Sequence, residues 1–511
     1  MKINSRTLKL ISLLYMYIPV VIFLFGYTRW YYAVATTVIL IVCLYRYMAD
    51  KGNYSYRGLY DVDAHMDGAD SEKGISLEPS VVAFSLILIA GVSILVGIGG
   101  LLPQSGDWEK HNAVLNDLIE HSWPVYYDRF GKCMLTYYLG QYIVPAVAGK
   151  ITGSFMVANI VMAILSIAGL WLVYLMLVEL TGADKTWKQI ATVFVMLFFC
   201  GGLVLVQFIL KLMYGDRMYS LGSQHWVLVD GIMLQYRSNL VMIRWVLPQI
   251  IVPWLAAILL IKDIKKVRYY VLILLPSLLF GSFSFAALAV IGVAAAVRGL
   301  LNQDITIKKI LSLENILLGL SLGSILFFYF LGNLQVDKPI NSSFRFEIYD
   351  IRQLPVYLFF CLIMFGVYYL CVAPEHKGEP LFYINLAILL ILPWFRMGLC
   401  NDVVMSGSIP SLFILMIMVL ELLFDEREST SLGLRKGIVI AMMLVGLIYP
   451  IDELKDNISW NTLGPNLATD YGTMELFTRR GDPRVTEDLM YNYYTYDLDG
   501  KVFYEYMAKT K

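Results

Sequence analysis

Apolar residues run through this chain in long, nearly unbroken blocks, not in the short periods of a soluble helix or strand. The blocks cover residues 8–25, 32–48, 81–102, 155–180, 190–213, 250–261, 269–280, 284–300, 316–331, 356–372, 381–395, 409–424 and 438–449. Blocks of about 16 or more apolar residues with few charges are read as bilayer-crossing helices. Two short neighbours, 269–280 and 284–300, form a candidate hairpin of short helices around Gly281. The pattern predicts an all-α polytopic membrane protein with about thirteen transmembrane helices.

One polar insertion interrupts the pattern early. After block 81–102 comes Gly-Asp-Trp-Glu-Lys-His-Asn (106–112), and the stretch continues through Leu118, His121, Trp123, Pro124 and Tyr127. At roughly 100° per residue, Trp108, Val114, Leu115, Leu118 and Ile119 share one side, and Glu109, Lys110, Asn116, Asp117 and Glu120 the other. That is an amphipathic helix lying at a membrane surface or under other loops. Asp107 and His111 fall inside the apolar sector, where a carboxylate and an imidazole are unfavourable unless paired. Asp107 is either an N-cap for this helix or a catalytic or substrate-binding group, with or without capping. Residues 132–150 are apolar but short and contain Pro145, so they predict a second interfacial or re-entrant helix.

Charge decides orientation. The N-terminal block follows Lys2, Arg6 and Lys9 and lacks a small-residue cleavage site, so it is read as a retained helix. With the N-terminus cytoplasmic, the short basic connections also fall inside: Lys185/Lys188, 262–268, Lys308/Lys309 and Arg427/Arg435/Lys436. The other side then holds loops 106–150, 214–244, 333–352 and 396–408 and the tail after 451, which places the C-terminus extracytoplasmic. Function is expected there, where the long polar loops are. The chain divides into an N-terminal hairpin and inner loop (1–79), a core with outer loops (80–451) and a tail (452–511).

Composition agrees. Hydrophobic residues make up 58% and charged residues 16%, against about a quarter charged in soluble domains, and mean hydropathy is +0.65. The formal net charge is zero, which gives no footprint for nucleic acid. Four of the six cysteines, Cys43, Cys200, Cys361 and Cys371, lie in apolar blocks and behave there as small hydrophobes. Cys133 and Cys400 fall on one face and leave a bridge open. The spans carry almost no charges, which argues against an ion-driven pump.

The outer loops gather polar groups: Asp107, Glu109, His111, Asn112, His225, Asp230, Arg237, Arg244, Gln249, Arg345, Arg352, Arg396, Asn401 and Asp402. An arginine at a membrane boundary snorkels to headgroups or, as one of several, grips a phosphate through its planar fork. Asp402 either bridges to Arg396 or lines the site.

Asp-Trp-Glu (107–109) in a first long outer loop, two juxtamembrane helices after it, and the segment Cys-Asn-Asp-Val-Val-Met-Ser-Gly-Ser-Ile-Pro (400–410) resemble the GT-C class of integral-membrane glycosyltransferases, in particular uncharacterised bacterial members. The resemblance covers the architecture from residue 81 onward. It implies a GT-C-like fold, a sugar donor on a polyprenyl phosphate, a glycan, lipid or protein acceptor of the cell envelope, and inverting transfer at the outer face of the cell membrane. Asp107 would then be the general base. Glu109 or His111 would orient Asp107 or the acceptor, and Arg244, Arg345 or Arg396 would stabilise the departing phosphate. Asn112, His225 and Asp402 complete the expected substrate-binding set. Members differ in their need for a divalent metal (Mg or Mn), which stays open here. The chain departs from the commoner adjacent acidic pair and has two spans before the reactive loop. A transporter or flippase of a lipid-linked saccharide is the alternative; it needs polar groups along a path through the bilayer, whereas these concentrate at one face.

Overall fold

The computed structural model describes residues 1–50, 74–128, 132–220, 226–333, 344–397, 401–461, 472–474 and 493–509, with backbone only for 456–461. In chain order the first helices are α1 (Ser5–Tyr27), α2 (Trp30–Ala49), α3 (Pro79–Leu95), α4 (Asp107–Glu120), α5 (Gly140–Thr152) and α6 (Phe155–Leu180). Among the described residues, nine helices are long and apolar enough to cross a membrane: α1, α2, α6, Thr186–Arg217, Ser282–Leu301, Leu313–Leu331, Leu354–His376, Asp402–Phe424 and Thr430–Lys455. A further pair, Asn239–Gln249 and Ile251–Lys262, passes the same test together but bends by 98°. The remaining apolar blocks form the shorter helices α3, Val267–Leu279 and Pro380–Trp394. The chain is a polytopic, helical membrane protein. Every apolar block becomes a helix, but not every helix has spanning length.

Block 81–102 shows why apolarity alone misplaces an end. Its helix stops at Leu95, because Gly97, Gly99 and Gly100 adopt φ of +91°, +84° and +68°. A Cβ at Gly97 would sit 2.5 Å from the Pro103 carbonyl oxygen, so only glycine permits this turn. The chain then doubles back and enters α4.

The Asp402–Phe424 helix forms the middle of the bundle and is buried over its whole apolar window. Its Phe413 stacks on Trp254 with ring centroids 4.9 Å apart. At the periphery, α2 and Thr430–Lys455 are only 28% and 22% buried over theirs, and they turn Val38, Ile41, Leu434 and Leu444 outward. Such faces suit a bilayer, since water would penalise so large an apolar surface.

Connections sort into two groups by their contacts. On one face, strand Lys2–Ile3 pairs with Ile75–Ser76, Lys9 pairs with Asp263 at 2.8 Å and Lys262 with Glu179 at 2.5 Å. There too Arg46 and Arg268 converge on Glu314 at 3.0 Å each, and Lys185 meets Glu426. On the other face, Arg345–Phe346 pairs with Phe395–Arg396, and Gln353 donates to the Asp230 carbonyl. Gln235 donates there to the Asn401 carbonyl, and Tyr494–Thr495 joins Cys133–Leu135 and Tyr126–Tyr127 in a three-stranded sheet. The short basic connections thus share one face and the long polar loops the other.

Candidate active site

α4 and α5 lie side by side beneath the loop face, both packed on α6. At 14 and 13 residues, neither reaches the roughly 20 residues a span requires. The α4 residues expected on the apolar side, Trp108, Val114, Leu115, Leu118 and Ile119, are all buried. They pack on protein: the Trp108 indole N–H donates to the Arg244 carbonyl at 2.9 Å. Asp117, placed by the wheel on the polar side, is instead fully buried. Its carboxylate accepts from the Tyr127 hydroxyl at 2.5 Å and from the Met474 amide at 3.0 Å. Loop and tail cover the face that α4 alone would have given to water.

Asp107 is the first residue of α4, and the N-cap position is Gly106. The capping reading is therefore corrected: the carboxylate turns to Lys110, one turn on, at 2.9 Å. The geometry follows from helical spacing, which makes positions three apart neighbours. The Asp107 side chain keeps 32% of its surface open, so it is held but reachable. Burial pushes its carboxyl up, but Lys110, His111 and Arg237 outweigh that effect, Lys110 foremost, and hold it below the ordinary value. Burial likewise works against the Lys110 ammonium, yet Asp107, Tyr137 and Asp402 raise it.

Asp402 opens the central helix and belongs to the same charged group, coupled to Lys110, Asp107 and Arg237. Its amide donates to the Met397 carbonyl at 2.8 Å. A third helix, Ser282–Leu301, begins beside them. Ser282 shares a 2.9 Å hydrogen bond with the Tyr138 hydroxyl, and Tyr138 lies within the field of Asp402. Three helix N-termini thus meet here, each with the partial positive charge that favours anions.

His111 is buried beneath this group. Its Nδ1 lies 2.6 Å from the Tyr142 hydroxyl, and burial followed by Lys110 lowers its pKa to about 3. It supports the cluster as a neutral imidazole. An aromatic wall continues from it: Tyr137 lies against Tyr138 and Tyr142 and packs on Tyr493 of the tail, with centroids 4.4 Å apart. Asn112 is buried and donates to Gln104 at 2.6 Å, which ties α4 to the preceding loop. Glu109, two positions from Asp107, points elsewhere on the helix and joins none of the cluster's hydrogen bonds or ion pairs.

The expected arginines separate. Arg244 is paired with Glu453, both largely buried, and its backbone anchors Trp108. Arg345 and Arg396 face each other across a two-stranded antiparallel sheet and share the Glu347 carboxylate at 3.4 and 2.9 Å. Arg396 thus bridges to Glu347 and not to Asp402. Two guanidiniums on one carboxylate leave a net positive patch, joined to Asp402 through Met397. His225 and Cys400 lie outside the described residues.

Sequence reasoning put Lys110 on the polar side, counted Arg237 only among many outer groups, and passed over the tyrosines as site residues. The available signal for Lys110 was its three-residue spacing from Asp107. For Tyr493 the only signal was the aromatic run at 491–496 of the tail, since which ring enters the site depends on packing from the far end of the chain. Among the described residues, the donors around Asp107 do not assemble a divalent-metal site. Asp107 is taken by Lys110, Glu109 stands apart, His111 is bound to Tyr142, and among the described residues no three His, Cys, Asp or Glu converge. Comparison with family models, with curated proteins and with solved structures finds no match.

Proposed function

We propose that this protein is a glycosyltransferase that moves a sugar from a polyprenyl-phosphate donor to a glycan, lipid or protein acceptor of the cell envelope, in a GT-C-like framework. The supporting observation is Asp107: an ionised, reachable carboxylate at a helix start, beside Asp402, Lys110 and Arg237. A hydroxyl becomes an effective nucleophile when a positioned carboxylate takes its proton, and Asp107 is assigned that role. Lys110 keeps the base ionised until the acceptor arrives. Asp402 and the Tyr138 hydroxyl suit the hydroxyls of a sugar, whose apolar faces pack on aromatic rings.

The Arg345–Arg396 patch is assigned to the donor phosphate, where a guanidinium fork stabilises charge as the lipid departs. Arg244 acts by positioning α4, not by touching substrate. The positive-inside rule puts the face of basic connections in the cytoplasm and the loop face outside. No metal enters the reaction as drawn. The test is incubation of the purified protein with labelled polyprenyl-phosphate sugars. Release of the lipid phosphate with transfer of label supports the reading, and movement of the intact donor across the bilayer without release overturns it.

A further inference from the structure

A second feature lies at the opposite end of α4, about 20 Å from Asp107 at 1.5 Å per residue. Here Gly26, Ser122, Trp123, Pro124, Tyr126, Lys150 and Lys509 line a cleft of about 470 Å³. Four chain segments build it: the end of α1, the loop after α4, the last turn of α5 and the C-terminal tail at Lys509. The Trp123 indole lies so close to Gly26 that a Cβ there would run into the ring, and its N–H donates to the Leu118 carbonyl at 2.8 Å. Lys150 donates to the carbonyls of Ile119 and His121 at 3.0 and 2.5 Å, with its ammonium 5.6 Å from the Trp123 ring centre. An ammonium has three donors, so one remains for a ligand. Lys509 is held by its backbone, whose amide donates to the Tyr27 carbonyl at 2.9 Å. Its ammonium has no partner among the described residues.

The surroundings show what kind of molecule fits. Next in the chain to Gly26 and Lys150 are Phe25 and Ile151, exposed by 47% and 80%, and Trp30 beyond them by 74%. Two cations and an indole therefore stand at the edge of an apolar, outward-facing surface. That is the arrangement of a headgroup site, with phosphate on the lysines, an aromatic ring at the interface and acyl chains along the helices.

We propose that this cleft binds the phosphate headgroup of an anionic phospholipid. The inference does not rest on the transferase reading. It is tested with the full chain in nanodiscs of phosphatidylcholine carrying increasing brominated phosphatidylglycerol, reading tryptophan quenching. Wild type is expected to show a saturable component that Trp123→Phe lacks. Lys509→Gln should weaken it about fivefold, the effect of one basic residue near anionic lipid. Because Lys150 also ties down the end of α4, Lys150→Arg serves as its control and should retain binding. Equal quenching by brominated phosphatidylcholine, or unchanged affinity in Lys509→Gln, overturns the proposal. Displacement by free glycerol phosphate at similar concentration would mean a soluble phosphate ligand and also overturns it.

Discussion

The two faces of the bundle use charge in opposite ways. On the face of basic connections, several cations meet carboxylates of neighbouring helix ends that are buried or nearly so: Lys9 with Asp263, Lys262 with Glu179, Arg435 with Glu375. These pairs close on themselves and join helices. On the loop face, four charges from three separated segments meet in one group: Asp107 and Lys110 from α4, Arg237 after a β-hairpin, Asp402 at the central helix. Asp107 stays 32% open within that group, whereas Asp263 is 4% exposed. A buried pair with every partner supplied is structural. A group of mixed sign that keeps one carboxylate open is where a substrate can change the balance.

Substitution should separate the two faces. On the loop face, Asp107→Asn is expected to lower sugar transfer by about 10²–10⁴-fold, the usual contribution of a general base. Membrane insertion and thermal stability should stay near wild type, and labelled lipid-phosphate release measures the loss. On the other face, Asp263→Asn leaves the Lys9 and Lys266 ammoniums and the Tyr47 hydroxyl around a neutral amide. It should destabilise the protein by about 3–5 kcal/mol, read as a lower unfolding temperature in detergent, with transfer per folded molecule unchanged. If the two variants exchanged phenotypes, the distinction between the faces would be gone.

A smaller effect is expected at the arginine pair. Arg396→Ala should raise KM for the lipid donor about tenfold with little change in kcat, in the range of one charge-assisted hydrogen bond. A change confined to stability would make the strand pair a brace.

The smallest effect concerns pH. Asp107 is held below its ordinary carboxyl value by Lys110, His111 and Arg237, so it stays charged throughout the neutral and mildly acidic range. His111, lowered to about 3, stays neutral above that. Transfer should therefore vary by less than about twofold between pH 5.5 and 8, the interval where an unperturbed histidine titrates. A midpoint near 6.5 in the pH–rate profile would show that an imidazole controls the step.

Much of this architecture is written locally. Unbroken apolar blocks become helices because a bilayer leaves the backbone no other partners, and the contacts reproduce the division of loops into two faces. The amphipathic register of α4 is equally local: Trp108, Val114 and Leu118 are buried as their spacing demands. Local patterning misjudged helix ends, since the turn at Gly97 depends on what the chain meets at Pro103.

Only the tertiary structure decided the partners of the charges. Glu453 takes Arg244 and Glu347 takes Arg396. The wheel assigned Asp117 to water, but Met474 and Tyr127 bury it. Tyr493 reaches the site only because the tail pairs with strand Cys133–Leu135. Hydrophobicity acts on each segment by itself and is legible in one dimension. An ion pair or a hydrogen bond is set by distance between segments hundreds of residues apart, and that distance exists only once the chain has packed.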